Sequence, residues 1–156
     1  MIKIRKGEKS DLKQVIKLIR ELAEYENAID KVKIKIGDLE KDGFSKKPLF
    51  SFIVAEIRNQ IIGMAFYYTN YSTWEGKCLF LEDLIVTKKH RSQGVGSMLF
   101  KSMIEIAKKN QANRLMWQIL KWNTPAIEFY KKFNAQVSDE WLNGKLNKSQ
   151  IERFKY

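Results

Sequence analysis

Residues 78–96 read CLFLEDLIVTKKHRSQGVG: an apolar run, a basic turn, then two glycines two residues apart. The run Cys78 to Val86 is apolar on both sides of a single interruption, Glu82-Asp83, which is the pattern of a strand covered on two faces. Beyond Gly94, residues Val95, Met98, Leu99, Met103 and Ile106 recur at helical spacing and predict a helix ending near Asn110. A buried strand, a glycine turn and an amphipathic helix in succession mark an α/β protein.

The flanks extend this pattern. Ile2-Lys3-Ile4-Arg5 alternates as a short strand. Ser10 or Asp11 then caps a helix with apolar positions Leu12, Val15, Ile16, Ile19, Leu22 and Ala23, and a shorter helix follows near Ile36 to Lys41. Phe50 to Ile57 and Ile61 to Tyr68 read as a hairpin joined at Arg58-Asn59-Gln60. On the other side, Arg114 to Leu120 predicts a further strand, and Pro125 opens a helix that stops near Asn134. One or two short strands are expected around Trp141. The fold class is therefore α/β (α+β), with a mixed central sheet and helices on both faces.

With 156 residues, 44% of them hydrophobic, and no repeat or linker, the chain is expected to form one domain over residues 1–156. Cys78 and His90 are the sole residues of their types, so neither a disulfide nor a metal cluster is expected. The balance of 29 Lys+Arg against 18 Asp+Glu gives +11, which suits a polyanionic partner: nucleic acid, lipid headgroups or a phosphate-bearing cofactor. No apolar stretch follows the basic N-terminal residues, and Ile61 to Tyr68 is far shorter than the roughly 20 residues of a membrane span. The expectation is a cytoplasmic protein without membrane contact.

Chemistry concentrates in three places. At Arg91-Ser92-Gln93-Gly94-Val95-Gly96, backbone N–H groups at a helix start can approach an anion such as a pyrophosphate; a plain glycine turn is the alternative. The nearby Lys88, Lys89, Lys101, Lys108 and Lys109 read mostly as a solvated basic face. At Glu82-Asp83, alternation along a strand predicts one carboxylate facing a cleft and the other facing away; a partly buried carboxylate titrates high enough to act as a base, whereas a salt bridge or a bulge is the structural alternative. Trp122-Asn123-Thr124-Pro125-Ala126 enters a helix that carries Tyr130, either a proton donor with the ordinary phenol pKa of about 10 or a core aromatic.

Taken together these segments resemble the GNAT acetyltransferase superfamily, whose acetyl-CoA motif is Arg/Gln-x-x-Gly-x-Gly/Ala. Ile19-Arg20-Glu21-Leu22-Ala23-Glu24-Tyr25-Glu26, Trp74-Glu75-Gly76-Lys77, Leu81-Glu82-Asp83-Leu84, Trp122-Asn123-Thr124-Pro125-Ala126 and Phe129-Tyr130-Lys131-Lys132 are similar to its spermidine/spermine and thialysine branch. The resemblance implies a GNAT-type sheet whose strands splay to admit acetyl-CoA. By position, Leu84, Ile85 and Val86 would meet the pantetheine arm. Arg91, Ser92, Gln93, Gly94, Val95, Gly96 and Ser97 would cradle the pyrophosphate, with Asn123 and Ala126 on the far side. Tyr25, Glu26, Glu82 and Glu140 match substrate positions. Glu82 would take a proton from the amine and Tyr130 would protonate the CoA thiolate.

The implied reaction is direct N-acetylation of a small diamine or polyamine in a homodimer, with no nucleic acid. Thialysine or a lysine-like amino acid is the alternative substrate. Two residues depart from the branch: Lys121, where an acid is usual before Trp-Asn, and Asn134, where glycine is usual. A basic nucleic-acid-binding domain and an acyl-CoA sensor without turnover are the rival readings; no recognition-helix, RNP or zinc-finger signature accompanies the charge.

Overall fold

The computed structural model describes residues 1–155. Five strands, β1 (Lys3–Lys6), β2 (Ser51–Ile57), β3 (Gln60–Ser72), β4 (Gly76–Val86) and β5 (Arg114–Met116), form one sheet in chain order. The first four pair antiparallel, and β4 pairs parallel with β5. The sheet is mixed, as the order of elements predicts. Gln60 already pairs with Ile57, so the β2–β3 turn is Arg58-Asn59, both at positive φ (48° and 63°). Two left-handed residues match the right-handed twist of the flanking strands.

Alternate residues of the sheet meet different helices. Phe52, Val54, Met64 and Ile85 pack in one core with α1 (Leu12–Tyr25), through Leu12, Val15, Ile16 and Leu18, and with Leu39 of α2 (Ile36–Gly43). On the opposite face lies α3 (Val95–Lys109), which buries Val95, Leu99, Phe100 and Met103. Met98, expected on that face, is partly exposed, and Phe100 is buried instead. Contact is closest at Gly63: a Cβ there would come 2.8 Å from the Ile85 carbonyl oxygen and 3.1 Å from a Leu99 methyl. Only glycine lets α3 lie this close to β3 and β4. Each fully buried Leu or Met contributes about 1.5–3 kcal/mol, so these two apolar faces hold the sheet between its helices.

The start of α1 is fixed by charge. Arg5 of β1 donates to both oxygens of Asp11 (2.7 and 2.9 Å) and to Glu56 of β2 (2.6 Å), while Asp11 also accepts the Glu8 N–H at 2.8 Å. The guanidinium holds the nearly buried Asp11 carboxyl below the usual carboxylate range. Asp11 stands at the position before α1, one of the two the sequence offered, but its carboxylate is turned back on Glu8 and Arg5, so the expected side-chain cap on the helix is not made.

Contacts divide the chain into two units, Met1–Gln118 and the segment from Ile119 onward. The second contains α4 (Thr124–Lys131) and α5 (Lys148–Arg153). Asn123 caps α4, accepting the Ala126 N–H at 3.3 Å, and Asn134 (φ 57°) follows the helix in the left-handed conformation that glycine would otherwise supply. The strands expected around Trp141 are absent among the described residues. A strand needs a ladder partner, and this unit offers none; Asn147 and Gln150 instead cap each other reciprocally at 2.9 Å and start α5.

Candidate active site

The ladder between β3 and β4 slips once. Phe66 pairs with Asp83 and Tyr67 with Leu81, leaving Glu82 as the extra residue of a β-bulge. A bulge breaks strict alternation and turns neighbouring side chains toward one side. This overturns the expectation that Glu82 and Asp83 face opposite ways. Asp83 shares the α1 face with Phe66 and Ile85, and Glu82 accepts a hydrogen bond at 3.2 Å from the Tyr68 hydroxyl on the adjacent strand.

A third acid completes the group. Glu26, the residue that ends α1, is close enough to Asp83 to act on its charge. Burial, then Glu82 and Glu26, push the Asp83 carboxyl up to about 7, and burial also raises that of Glu26. Glu82 also raises the Tyr68 phenol, adding to the effect of burial. Among the described residues no cationic side chain forms an ion pair with Glu26, Glu82 or Asp83. Uncompensated acids at the edge of a sheet attract a cation, and one with a proton affinity near neutrality can take a proton from it.

Directly before this group, β4 loses its outer neighbour. The parallel ladder to β5 runs from Cys78–Arg114 to Phe80–Met116, so among the described residues Leu84, Ile85 and Val86 have no partner strand on that side. The strand expected to reach Leu120 ends at Met116, whose partner Phe80 lies two residues before the bulge residue Glu82. The result is an open sheet edge leading to the glycine turn.

In that turn Ser92 (φ 60°) and Gly94 (φ 80°) are left-handed, and a side chain at Gly94 would meet nothing within 4 Å. The first bond of α3 runs from the Met98 N–H to the Gly94 carbonyl at 3.0 Å, so the N–H groups of Val95, Gly96 and Ser97 have no acceptor within the helix. Open space above unpaired donors at a helix start fits a diphosphate. The cost of keeping non-glycine Ser92 left-handed, about 1 kcal/mol, is consistent with a functional turn. Gln93 donates from its side chain to the Lys89 carbonyl at 3.1 Å and so braces the loop.

Arg91, expected at the phosphates, points elsewhere. Its Nε–H donates to the Val86 carbonyl at 3.0 Å, its Nη2 lies 3.8 Å from Glu21 of α1, and its guanidinium stands 5.0 Å above the Tyr25 ring. Glu21 also accepts the Lys88 N–H at 2.8 Å. The last turns of α1, which carry Tyr25 and Glu26, are thereby tied to the loop that carries the glycines. Sequence reasoning gave no role to Glu21, because its partner is 67 residues away. Asp83 was within reach: the acidic pair had raised a bulge as one alternative.

The remaining expected residues belong to the second unit and are described within it. Tyr130 is buried on α4, edge-on to Phe129 at 5.0 Å, and Asn123 and Ala126 form the cap of that helix. Glu140 is exposed, next to Asp139, which pairs with Lys121 at 3.2 Å. Cys78 is fully buried in β4.

Residues 13–135 match the acetyltransferase (GNAT) family. The thialysine N-epsilon-acetyltransferase of Bos taurus is 38% identical over 143 residues, 86% of this chain and 84% of that protein. The spermidine/spermine N(1)-acetyltransferase-like protein 1 of Homo sapiens is 34% identical over 95% of this chain and 23% of its own length. Among solved structures, an integron cassette protein from the mobile metagenome of V. cholerae superposes with a TM-score of 0.80 at 23% identity, covering 97% of this chain and 96% of its own. An aminoglycoside acetyltransferase from an uncultured soil metagenomic sample does so at 0.78 and 20% identity, over 94% and 95%. The splayed sheet edge, the glycine turn and the sequence match all lead to one assignment: the chain belongs to the GNAT acetyltransferase family.

Proposed function

We propose that this acetyltransferase moves the acetyl group of acetyl-CoA to a primary amine of a small diamine or polyamine by direct attack. The carrying observation is the gathering of Glu26, Glu82 and Asp83, without a cationic partner among the described residues, beside an open strand edge that leads into the glycine turn. The family match runs from residue 13 to 135, across both units, and supports reading them as one domain.

Acetyl-CoA supplies an acetyl group activated as a thioester. An ammonium cannot attack it until a proton leaves. The acids of the β4 bulge accept that proton: Glu82 is the residue the resemblance points to, and Asp83, with a carboxyl near pH 7, is the better matched in proton affinity. The N–H groups of Val95, Gly96 and Ser97 hold the diphosphate, and backbone groups of Leu84 to Val86 orient the pantetheine arm. A backbone N–H near Leu84 polarises the acetyl carbonyl. By the family resemblance alone, Tyr130 would protonate the departing thiolate. Holding both reactants in one cleft provides much of the rate.

A second reading, N-acetylation of thialysine or a lysine-like amino acid, is favoured by the names of the bovine relative and of its counterparts in Sus scrofa and Mus musculus. The deciding experiment presents putrescine, spermidine, spermine, thialysine and lysine with acetyl-CoA and follows thiol release. Turnover of the first three supports the diamine reading, turnover of thialysine alone supports the second, and binding of acetyl-CoA with no turnover on any amine makes the protein a sensor.

The enzyme is proposed to work in the cytoplasm as a homodimer. Trp141, Leu142 and Leu146 stand 78%, 93% and 62% exposed in a stretch without regular structure, which is apolar surface that a second copy would cover. A monomeric mass in solution overturns the dimer.

A further inference from the structure

One cation contacts groups assigned to both halves of the reaction. Arg91 donates to the carbonyl of Val86, a residue proposed to meet the pantetheine arm, and lays its guanidinium over Tyr25, a residue proposed to meet the amine. It also stands in the turn that carries Gly94. In this conformation the side chain occupies one acceptor and one aromatic face that the two substrates need.

We propose that Arg91 is a stand-in for the substrate ammonium: it rests on Tyr25 in the free protein and transfers to the diphosphate when acetyl-CoA binds, so that the cosubstrate opens the amine site. The inference rests on the acetyltransferase reading. Guanidinium and alkylammonium ions compete for the same electron-rich ring face. Its hold on α1 is weak, since its side chain is 38% exposed and its contact with Glu21 is 3.8 Å long, so the 3.0 Å hydrogen bond to the Val86 carbonyl is the main bond it must exchange. A diphosphate offers a guanidinium shorter, bidentate and more highly charged hydrogen bonds. Glu21 loses little when Arg91 leaves, because the Lys88 N–H remains bonded to it at 2.8 Å. The move also frees the Val86 carbonyl, and it removes a positive charge from the residue next to Glu26. Acetyl-CoA and amine therefore favour each other's binding, and linkage makes the effect equal in both directions.

The coupling is measured by calorimetry with CoA, which carries no acetyl group and allows no turnover, and with whichever of spermidine or thialysine is a substrate. In the parent protein, saturating CoA tightens the amine about threefold or more, and the amine tightens CoA by the same factor. In Tyr25→Leu, Arg91 has lost its resting place: CoA binds about two- to fivefold more tightly than to the parent, the equivalent of one exposed cation–π contact, and the coupling factor falls to one. A ring with only structural value would instead leave CoA affinity unchanged or weaken it, and either result overturns the proposal. So does a parent coupling factor of one or less. NMR of the parent supplies a test that needs no variant: the ring-current shift that Tyr25 imposes on the Arg91 side-chain protons is lost on adding CoA alone. If CoA binds and those signals do not move, this inference fails while the acetyltransferase reading stands. If CoA does not bind at all, both fail.

Discussion

Asp83, half-buried beside two other acids, has its carboxyl pushed up to about 7, and that makes predictions about rate and about stability. If it accepts the amine's proton, kcat/KM rises with pH through about 7 and then levels, and Asp83→Asn lowers the rate about 10²-fold or more while flattening that limb. If the limb survives in Asp83→Asn and disappears in Glu82→Gln, with partial recovery at alkaline pH, the proton goes to Glu82. Stability follows the opposite direction. Between the unfolded carboxyl near 3.8 and the folded one near 7 the native state binds more protons, so stability is greatest below that window and falls as pH rises through it. Removing the charge relieves the cost: Asp83→Asn should melt higher than the parent at pH 8, by about 2–4 kcal/mol in unfolding free energy, with the advantage gone near pH 4. Equal melting curves at both pH values would place the Asp83 carboxyl in water. Tyr130 is buried; if its hydroxyl protonates the thiolate, Tyr130→Phe loses kcat with little change in acetyl-CoA affinity, whereas unchanged turnover makes it a core aromatic.

At the scale of elements, β4 and the turn that follows it carry most of the proposed site. The strand, the glycine turn and α3 were legible because apolar spacing and paired glycines are local signals. The bulge was legible only as one of several readings, since Glu82-Asp83 fits an alternating strand equally well; its registration depends on Phe66 and Tyr67 across the sheet. Similarly, the Arg114 strand carries apolar residues as far as Leu120, but its length is set by how far it pairs with β4, which no local pattern encodes. The tail misled for the converse reason: Val137, Trp141 and Leu142 have strand-like side chains, but no ladder forms there among the described residues. Arg91 shows the same limit at the site, since its motif position was readable and its resting partners on α1 were not. The turn gives a direct test. A Cβ at Gly94 meets nothing within 4 Å, so Gly94→Val acts through its backbone angle of +80° and not through crowding of the protein. The substitution should cost about 1–2 kcal/mol in stability and weaken CoA binding about tenfold or more, because a branched side chain and an altered turn intrude on the diphosphate's approach. Parent-like affinity in a folded Gly94→Val would make this a plain glycine turn.

For the molecule as a whole, the net charge of +11 opposes a cationic substrate, whereas the acids at the bulge attract one. The two effects differ in range. At physiological salt the Debye length is about 8 Å, so most of the 29 Lys and Arg side chains are screened from an incoming polyamine, while Glu26, Glu82 and Asp83 act at contact. Their opposing signs make salt a discriminating variable. Contact attraction to a multiply charged amine weakens as salt rises, which raises KM; relief of long-range repulsion speeds encounter, which lowers it. If the acid cluster is the amine site, the KM for spermidine climbs several-fold between about 50 and 300 mM salt, and Glu26→Gln both raises KM at low salt and makes it less salt-sensitive. A KM that falls over the same range would mean that the field of the whole chain governs encounter, and the amine would then have to bind away from the bulge.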